Sequence, residues 1–161
     1  ECFVVIEDSD KHLKTAASER AIPIHHELIR IGFLAFVEDQ RSIEQTDLFN
    51  ELSLGPYGYR STNFSKWFSR FLVKIGAAKP LTCFHSFRHC FRDALRESRA
   101  DREVSLALGG WTGGVGIGID GIYGSGFRPA ILQLAIDQIN YPELCLSHLE
   151  PSVCYGFHKA K

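Results

Sequence analysis

The sequence predicts a mainly helical domain with a small antiparallel β-sheet, an α+β fold. Its 161 residues are 45% hydrophobic and 23% charged, which is typical of a single globular domain that buries its own core. Two short β-branched stretches stand near the N-terminus, and apolar residues recur at helical spacing through most of the rest. No stretch approaches the ~18 consecutive apolar residues of a membrane-spanning helix, and the N-terminus lacks the features of a signal peptide, so we expect no membrane partner.

The N-terminal part predicts a β-hairpin. Residues 3–7 (FVVIE) are apolar and β-branched, which favours a strand. Residues 20–24 (RAIPI) form a second extended piece, because Pro23 disfavours the helical conformation in the residue before it. The polar residues 8–19 that separate these pieces predict a long loop.

Two helices are predicted after the hairpin. Apolar residues at helical spacing over residues 26–40 predict one amphipathic helix. Residues 47–54 are ambiguous, and the GPYG sequence at residues 55–58 predicts a turn. Residues 61–63 (STN) offer caps for a helix that ends at Gly76 and carries an apolar, mostly aromatic stripe, which we interpret as core packing. The stripe consists of Phe64, Trp67, Phe68, Phe71, Leu72 and Ile75.

Three further helices are predicted, over residues 86–98, 102–108 and 129–139. The first of them has an apolar side that we expect to face the core. That side consists of Phe87, Cys90, Phe91, Ala94 and Leu95. Residues 109–126 hold nine glycines in eighteen positions, which predicts a flexible loop.

The domain organisation follows from where this periodicity ends. The tail from Tyr141 contains two prolines and no periodic pattern, so we take residues 1–140 as one domain and residues 141–161 as a C-terminal extension. The chain contains no methionine, and we therefore expect it to be part of a longer protein.

Charge is unevenly distributed along the chain. The net charge is −1, but residues 60–102 contain ten basic and three acidic residues, which leaves +7 in the middle and −8 in the flanks. A basic centre of this kind suits a phosphate-binding face, although a solvated helix surface would show the same pattern. The five cysteines include no C-x-x-C pair, which favours reduced thiols in a cytosolic protein over a disulfide framework or a zinc site.

Three chemistries fit the sequence poorly. The G-x-G-x-x-G pattern at residues 116–121 follows a predicted helix and has no βαβ context, so a nucleotide site is weakly indicated. His85 and His89 share a helix face, but the Glu of an H-E-x-x-H motif is absent and no third ligand is evident, although His25 and His26 occur elsewhere, so we expect no metal. Cys83 and Cys90 lie near these histidines, yet most free cysteines are simply buried.

A fourth chemistry, phosphoryl transfer to a tyrosine, fits better. His85 and Arg88 are three residues apart at the start of a predicted helix, where backbone N–H groups already favour an anion. Lys14 lies in the hairpin loop, from which an ammonium could protonate a leaving oxygen. Tyr123 follows the glycine-rich stretch and offers a phenolic nucleophile, although an ordinary loop aromatic would look the same.

At these residues the sequence resembles the tyrosine recombinases, or phage-type integrases. Residues 14–25 (KTAASERAIPIH) resemble the family's hairpin lysine and its S-x-R-x-[VI]-P-[LI] strand. Residues 84–91 (FHSFRHCF) resemble the H-x-[LF]-R-H-[TS]-F box, and residues 108–111 (LGGW) with residues 122–124 (IYG) resemble the L-G-[HW]…Y segment. The three stretches occur in the family's order.

The resemblance implies a site of five residues. Lys14 would be the general acid for the 5′ oxygen, and His85 and Arg88 would hold the scissile phosphate and move a proton. Trp111 would hydrogen-bond that phosphate, and Tyr123 would form the covalent 3′-phosphotyrosyl bond. Neither a metal nor a cofactor would be needed, because the protein–DNA ester conserves the bond energy.

The resemblance also implies partners and a cellular context. Double-stranded DNA would be the substrate, and further recombinase subunits would join in a tetrameric synapse, with no small-molecule substrate. The protein would act in site-specific DNA integration in the cytoplasm of a bacterium, encoded by the host or by a phage or prophage, at the nucleoid when active.

Two features depart from the family's pattern. The family's first catalytic arginine precedes the hairpin, so we expect it to be missing here. We therefore expect the 161-residue chain itself to be inactive. Arg20 and Arg92 are the nearby arginines that could substitute. Trp111 and Tyr123 are twelve residues apart, a wider gap than in the family. Two alternatives remain at this stage: a non-catalytic module of the same fold that binds DNA or protein, and an unrelated nucleotide-using enzyme.

Overall fold

The computed structural model describes residues 1–7, 19–56, 58–111 and 126–151. The described residues are mainly helical with one two-stranded antiparallel sheet, which confirms the predicted α+β class. Over these ranges the helices are α1 (His26–Arg30), α2 (Phe33–Ser42), α3 (Arg60–Lys74), α4 (Ser86–Glu97), α5 (Arg102–Gly109) and α6 (Pro129–Asp137). None of the helices in this part of the chain combines the length and the apolar character that crossing a membrane requires.

The chain divides into two compact units, and each is described by itself. The first unit comprises Glu1–Phe33 and Arg92–Lys161, and the second comprises Leu34–Phe91. Lys14 and Tyr123, two of the five predicted site residues, lie outside the described residues.

The predicted hairpin is present in the first unit. Strand β1 (Cys2–Val5) pairs antiparallel with β2 (Arg20–Pro23), in a register that sets Cys2 opposite Pro23 and Val5 opposite Arg20. Proline has no N–H for a sheet ladder, so its position at the end of β2 is the position that a strand tolerates.

The prediction of a single helix over residues 26–40 is wrong, because the helix is interrupted between α1 and α2. Gly32 adopts a left-handed conformation with φ +88° and follows the C-cap residue of α1, Ile31. Glycine ends helices in this way because it lacks the Cβ that penalises a left-handed conformation. An added Cβ at Gly32 would also lie 2.7 Å from Cγ of Pro151, so the break leaves room for a close chain crossing.

The core of the first unit lies among β2, α5, α6 and the second half of α4. Leu95 of α4 and Leu108 of α5 are its largest fully buried side chains. α6 packs against both β2 and α5, and α5 packs against β2. The Asp101 side chain caps α5 by accepting hydrogen bonds from the N–H groups of Glu103 (2.7 Å) and Val104 (3.3 Å).

The second unit is organised around α3. Its first residue, Arg60, donates hydrogen bonds to the Leu52 carbonyl and, at 2.9 Å, to Asp47 Oδ2. The amide of Asn63 donates to the Ser53 and Leu54 carbonyls, both at 3.2 Å. The predicted caps at residues 61–63 are therefore wrong, because these residues lie in the first turn of α3 and Asn63 anchors the preceding loop instead.

Burial in this unit also differs from the prediction. Leu72 is the only buried residue of the described α3, whereas Trp67 is 54% exposed and Ile75, which follows the helix, is equally exposed. On α4, Phe87 and Cys90 of this unit are exposed, whereas Ala94 and Leu95, which belong to the first unit, are buried as expected. The rings of α3 pack against one another and against Phe84 and Phe87, so they form a surface cluster rather than the centre of a core.

Candidate functional site

Three of the five predicted site residues lie in the described part of the chain. His85 and Arg88 belong to the second unit, and Trp111 belongs to the first. The two groups are therefore described one after the other.

His85 and Arg88 are positioned by a tight turn that starts α4. The Ser86 N–H donates to the Cys83 carbonyl at 2.9 Å, and the Cys83 N–H donates to Ser86 Oγ at 3.1 Å. The Arg88 N–H donates to the His85 carbonyl at 2.9 Å. His85 therefore immediately precedes α4, and Arg88 is the third residue of its first turn, as their spacing predicts.

This end of α4 favours an anion. The first N–H groups of a helix have no partners within the helix and carry the positive end of its dipole. The first turn contains no acidic residue to offset that charge, and Arg88 adds a further positive charge to it. His85 is exposed and Arg88 is half-buried, so an anion could approach from solvent. The arrangement is suited to a phosphate group.

Trp111 is held by the end of α5. Gly110 has a left-handed φ of +58°, and the Trp111 N–H donates to the Leu106 carbonyl at 3.0 Å. An added Cβ at Gly109 would lie 2.1–2.3 Å from three carbons of the indole, which shows that the ring lies directly on that glycine. The two glycines of the LGGW sequence are thus required by geometry. Gly109 makes room for the indole, and Gly110 takes the left-handed conformation that ends α5.

Two arginines meet this segment. The guanidinium of Arg92, on α4, lies over the Trp111 ring with Cζ 5.5 Å from its centroid, a cation–π contact. Arg20 of β2 donates from Nε to the Leu108 carbonyl at 3.2 Å, across 88 residues of sequence. Its guanidinium also lies beside Gly110, where an added Cβ would be 2.7 Å from one of its terminal nitrogens. Two of the three stretches that carry the resemblance are therefore in contact.

Neither arginine belongs to the predicted site. The sequence offered one signal for Arg20, its place in the strand motif, and one for Arg92, its position four residues after Arg88 on the same helix. The long-range contacts themselves leave no mark in a single sequence.

A histidine pair in the first unit lies near Asp137. The ligand atoms of His25, His26 and Asp137 all lie within 4.8 Å of one another. Among the described residues, these three side chains form a grouping of the size that could hold a metal ion. His25 Nδ1 accepts a hydrogen bond from the Glu27 N–H at 3.0 Å, and its Nε2 lies 3.0 Å from the Ile139 carbonyl. Nδ1 therefore carries no proton and Nε2 donates, so a metal would have to displace a structural hydrogen bond. We interpret His25 as a clamp between the hairpin and the end of α6.

The other members of this cluster are also engaged. His26 Nδ1 lies 3.2 Å from Asp137 Oδ1, and its ring stacks on that of His25 at 4.2 Å. Gln133 donates to the same Asp137 oxygen at 3.0 Å. Partial burial opposes ionisation of Asp137, but the hydrogen bonds from Gln133 and His26 outweigh it and lower the pKa of that carboxyl group.

The described site residues have one chemical capacity in common, which is to hold a phosphate. Arg88 and His85 lie in sequence at the N-terminal end of α4, and Trp111, whose indole has a single N–H donor, follows the end of α5. No protein-family model, no curated protein and no solved structure matches the chain, so its function is inferred from these residues and contacts.

Proposed function

We propose that the chain is the larger part of the catalytic domain of a tyrosine recombinase of the phage-integrase type. The reaction is transesterification on double-stranded DNA. The phenolic oxygen of Tyr123 gives its proton to the His85 imidazole and forms a bond to the scissile phosphorus. The bond from phosphorus to the 5′ oxygen breaks, and Lys14 gives its proton to that oxygen. The product is a 3′-phosphotyrosyl ester, and the reverse reaction with another 5′ hydroxyl rejoins the strand.

The observation that carries the proposal is the contact between Arg20 and the Leu108 carbonyl. The resemblance requires the hairpin strand and the LGGW segment to belong to one site, although 88 residues separate them. A chance match to short motifs carries no such requirement for packing. Contact between the two stretches therefore supports the resemblance independently of the motifs themselves.

The first turn of α4 supports the phosphate-binding role of Arg88 and His85. Attack by the phenol adds negative charge to the non-bridging oxygens, and preorganised donors stabilise that charge. Arg88 can offer a forked pair of N–H groups, which matches two oxygens of a phosphate. His85 precedes it by three residues and supplies a second donor at the same helix end.

The Arg92 contact supports the role of Trp111. The guanidinium of Arg92 and the close approach of Gly109 both restrict the indole, so its single N–H donates in a fixed direction. Such a fixed donor suits one non-bridging oxygen of the phosphate. Arg92 also places a positive charge beside Trp111.

The proposed partners are duplex DNA and further copies of the recombinase, in the cytoplasm. The basic residues 60–102 provide the charge for non-specific contacts with the DNA backbone. Bond energy is kept in the phosphotyrosyl ester, so the proposed reaction uses neither a metal nor a nucleotide.

The experiment is covalent capture, in which adducts between the chain and DNA are counted on a denaturing gel. The family uses two catalytic arginines, and one of them, Arg88, has a match in this sequence. We therefore expect the rate with an ordinary phosphodiester to be lower by a factor on the order of 10²–10³. A methylphosphonate linkage carries one negative charge fewer and needs less stabilisation. We therefore use two pools of duplexes in which random bases flank one linkage, charged in one pool and uncharged in the other.

The expected result is an adduct with the uncharged pool that is lost in Tyr123→Phe. Tyr59→Phe is the matched control, because the Tyr59 side chain is exposed and makes no capping hydrogen bond. An adduct that survives Tyr123→Phe would contradict the proposed nucleophile. Binding of DNA without an adduct in either pool would identify the chain as a non-catalytic module of the same kind.

A further inference from the structure

Rings of α3 and of the start of α4 form an aromatic face on the second unit. We define it by the six rings Phe64, Trp67, Phe68, Phe71, Phe84 and Phe87. Trp67 and Phe71 are one turn apart, with ring centroids separated by 5.4 Å and planes inclined by 12°. They are 54% and 39% exposed. Phe68 contacts both of these rings and packs edge-on against Phe84 at 5.4 Å, so the exposed pair belongs to one continuous ring cluster.

A stripe of cations runs beside the aromatic face. Lys66, Arg70 and Lys74 follow one another at intervals of four residues, and we call them the basic stripe. Each of the first two immediately precedes an exposed ring, Trp67 or Phe71, and consecutive residues on a helix point about 100° apart. The stripe therefore borders the rings along the length of α3. All three cations are exposed, and none makes an ion pair with a residue in the described ranges.

The segment of the chain that carries this surface contains charges of one sign. Residues 60–91 contain six basic residues and no aspartate or glutamate. A polyanion that also presents flat rings would match both the stripe and the face.

We propose that the aromatic face and the basic stripe bind single-stranded nucleic acid. Bases stack on Trp67 and Phe71, and backbone phosphates pair with Lys66, Arg70 and Lys74. The cations repeat every ~6 Å along the helix, a spacing that an extended strand can follow phosphate by phosphate. A duplex keeps its base faces covered by neighbouring bases, so it could use the stripe without the rings.

This inference adds a role for the aromatic face, which the proposed cleavage reaction does not use, whereas the basic stripe belongs to the basic residues 60–102 that also attract duplex DNA. It does not depend on Tyr123, and the two proposals can fail separately. An acidic peptide is the other chemistry that the stripe would attract, and the test therefore includes one.

The probe is a single-stranded oligothymidylate with a fluorescent end label, titrated with the 161-residue chain. Anisotropy reports binding, and intrinsic fluorescence reports stacking, because a base stacked on an indole quenches it. The chain contains two tryptophans, so Trp67→Phe leaves Trp111 as the remaining emitter and identifies which of them is quenched. A duplex of the same phosphate count and poly-glutamate serve as competitors.

We expect the single strand to bind with quenching that is absent in Trp67→Phe. Loss of one stacked ring in Trp67→Ala is expected to weaken binding by at least about fivefold, whereas Trp67→Phe keeps a ring and weakens it less. Val73→Ala is the control, because Val73 is an exposed, non-aromatic residue of the same helix. Arg70→Gln is expected to reduce the slope of log affinity against log salt concentration by about 0.7, the value for one lost contact to a single strand.

Three results would overturn the proposal. Equal affinity for the duplex would show that the stripe binds phosphates without the rings. Binding and quenching by poly-glutamate at equal strength would identify an acidic protein as the partner. If the wild type binds the single strand and its fluorescence is quenched no more than that of a folded Trp67→Phe variant, as judged by circular dichroism, stacking on Trp67 would be excluded.

Discussion

Substitution of Gly109 by alanine tests how the end of α5 positions Trp111. In most helices this change stabilises the protein by about 0.5–1 kcal/mol, because alanine loses less backbone freedom on folding. Here the new Cβ would lie 2.1–2.3 Å from three indole carbons, so the ring must leave its place. The chain then loses the contact with Arg92, about 0.5–1 kcal/mol at an exposed site, and the packing of the indole. Overfilling of a packed site typically costs about 1–3 kcal/mol, and we expect the free energy of unfolding to fall by about 1–2 kcal/mol.

The assay is urea denaturation followed by far-ultraviolet circular dichroism, carried out as a double-mutant cycle. In a Trp111→Ala background the obstacle is gone, so Gly109→Ala is expected to be neutral or stabilising. The same loss of stability in both backgrounds would show that the indole is not what excludes a side chain at position 109. A stabilising effect in the natural background would refute the contact altogether.

Three further predictions address the site and its surroundings. Arg88→Ala is expected to slow adduct formation with the charged linkage by on the order of 10²–10³, and to slow it less with the uncharged linkage, while circular dichroism is unchanged. Arg88→Lys is expected to restore only part of the rate because an ammonium cannot form a forked pair, and a wild-type rate with the charged linkage in Arg88→Ala would contradict the phosphate role. His25→Ala removes the hydrogen bonds to the Glu27 N–H and the Ile139 carbonyl, so the free energy of unfolding is expected to fall by about 1–3 kcal/mol, and an unchanged denaturation midpoint would refute the clamp. The pKa of Asp137 is lowered in the folded state, so its contribution to stability is present above the ordinary pKa of about 4 and is lost as the pH falls through the lowered value. Asp137→Asn is therefore expected to make the free energy of unfolding less dependent on pH in acid. Identical pH profiles of wild type and variant would count against this reading.

Local patterns were sufficient for the class of fold and for most helices. β-branched residues and Pro23 mark the hairpin, and the starts of α4 and α5 fall at the predicted positions. The break at Gly32 was missed because apolar residues keep a helical spacing on both sides of it. That spacing reports which residues could share a helix face, whereas the break is set by the left-handed backbone and the close approach of Pro151.

Burial and long-range contacts could not be predicted in the same way. The aromatic stripe of α3 predicts a helix with an apolar side, but nothing in its periodicity says what covers that side, and Trp67 remains half-exposed. The spacing of His85 and Arg88 placed both at the start of α4, because their relation is local. The contacts of Trp111 with Arg92 and of Arg20 with Leu108 join distant parts of the chain, and a single sequence records no such pairing.

The most direct test of the proposed chemistry identifies the residue that carries the DNA. The 161-residue chain is incubated with the random-sequence pool that holds the uncharged linkage, digested with nuclease and trypsin, and examined by mass spectrometry. Trypsin cleaves after Arg102 but not between Arg128 and Pro129, so Tyr123 is carried by the peptide of residues 103–159, which also contains Tyr141 and Tyr155. Transesterification predicts that fragmentation of this peptide places the added nucleotide on Tyr123. A nucleotide on any other residue, such as Cys83 or Cys90, or no adduct at all, would contradict it.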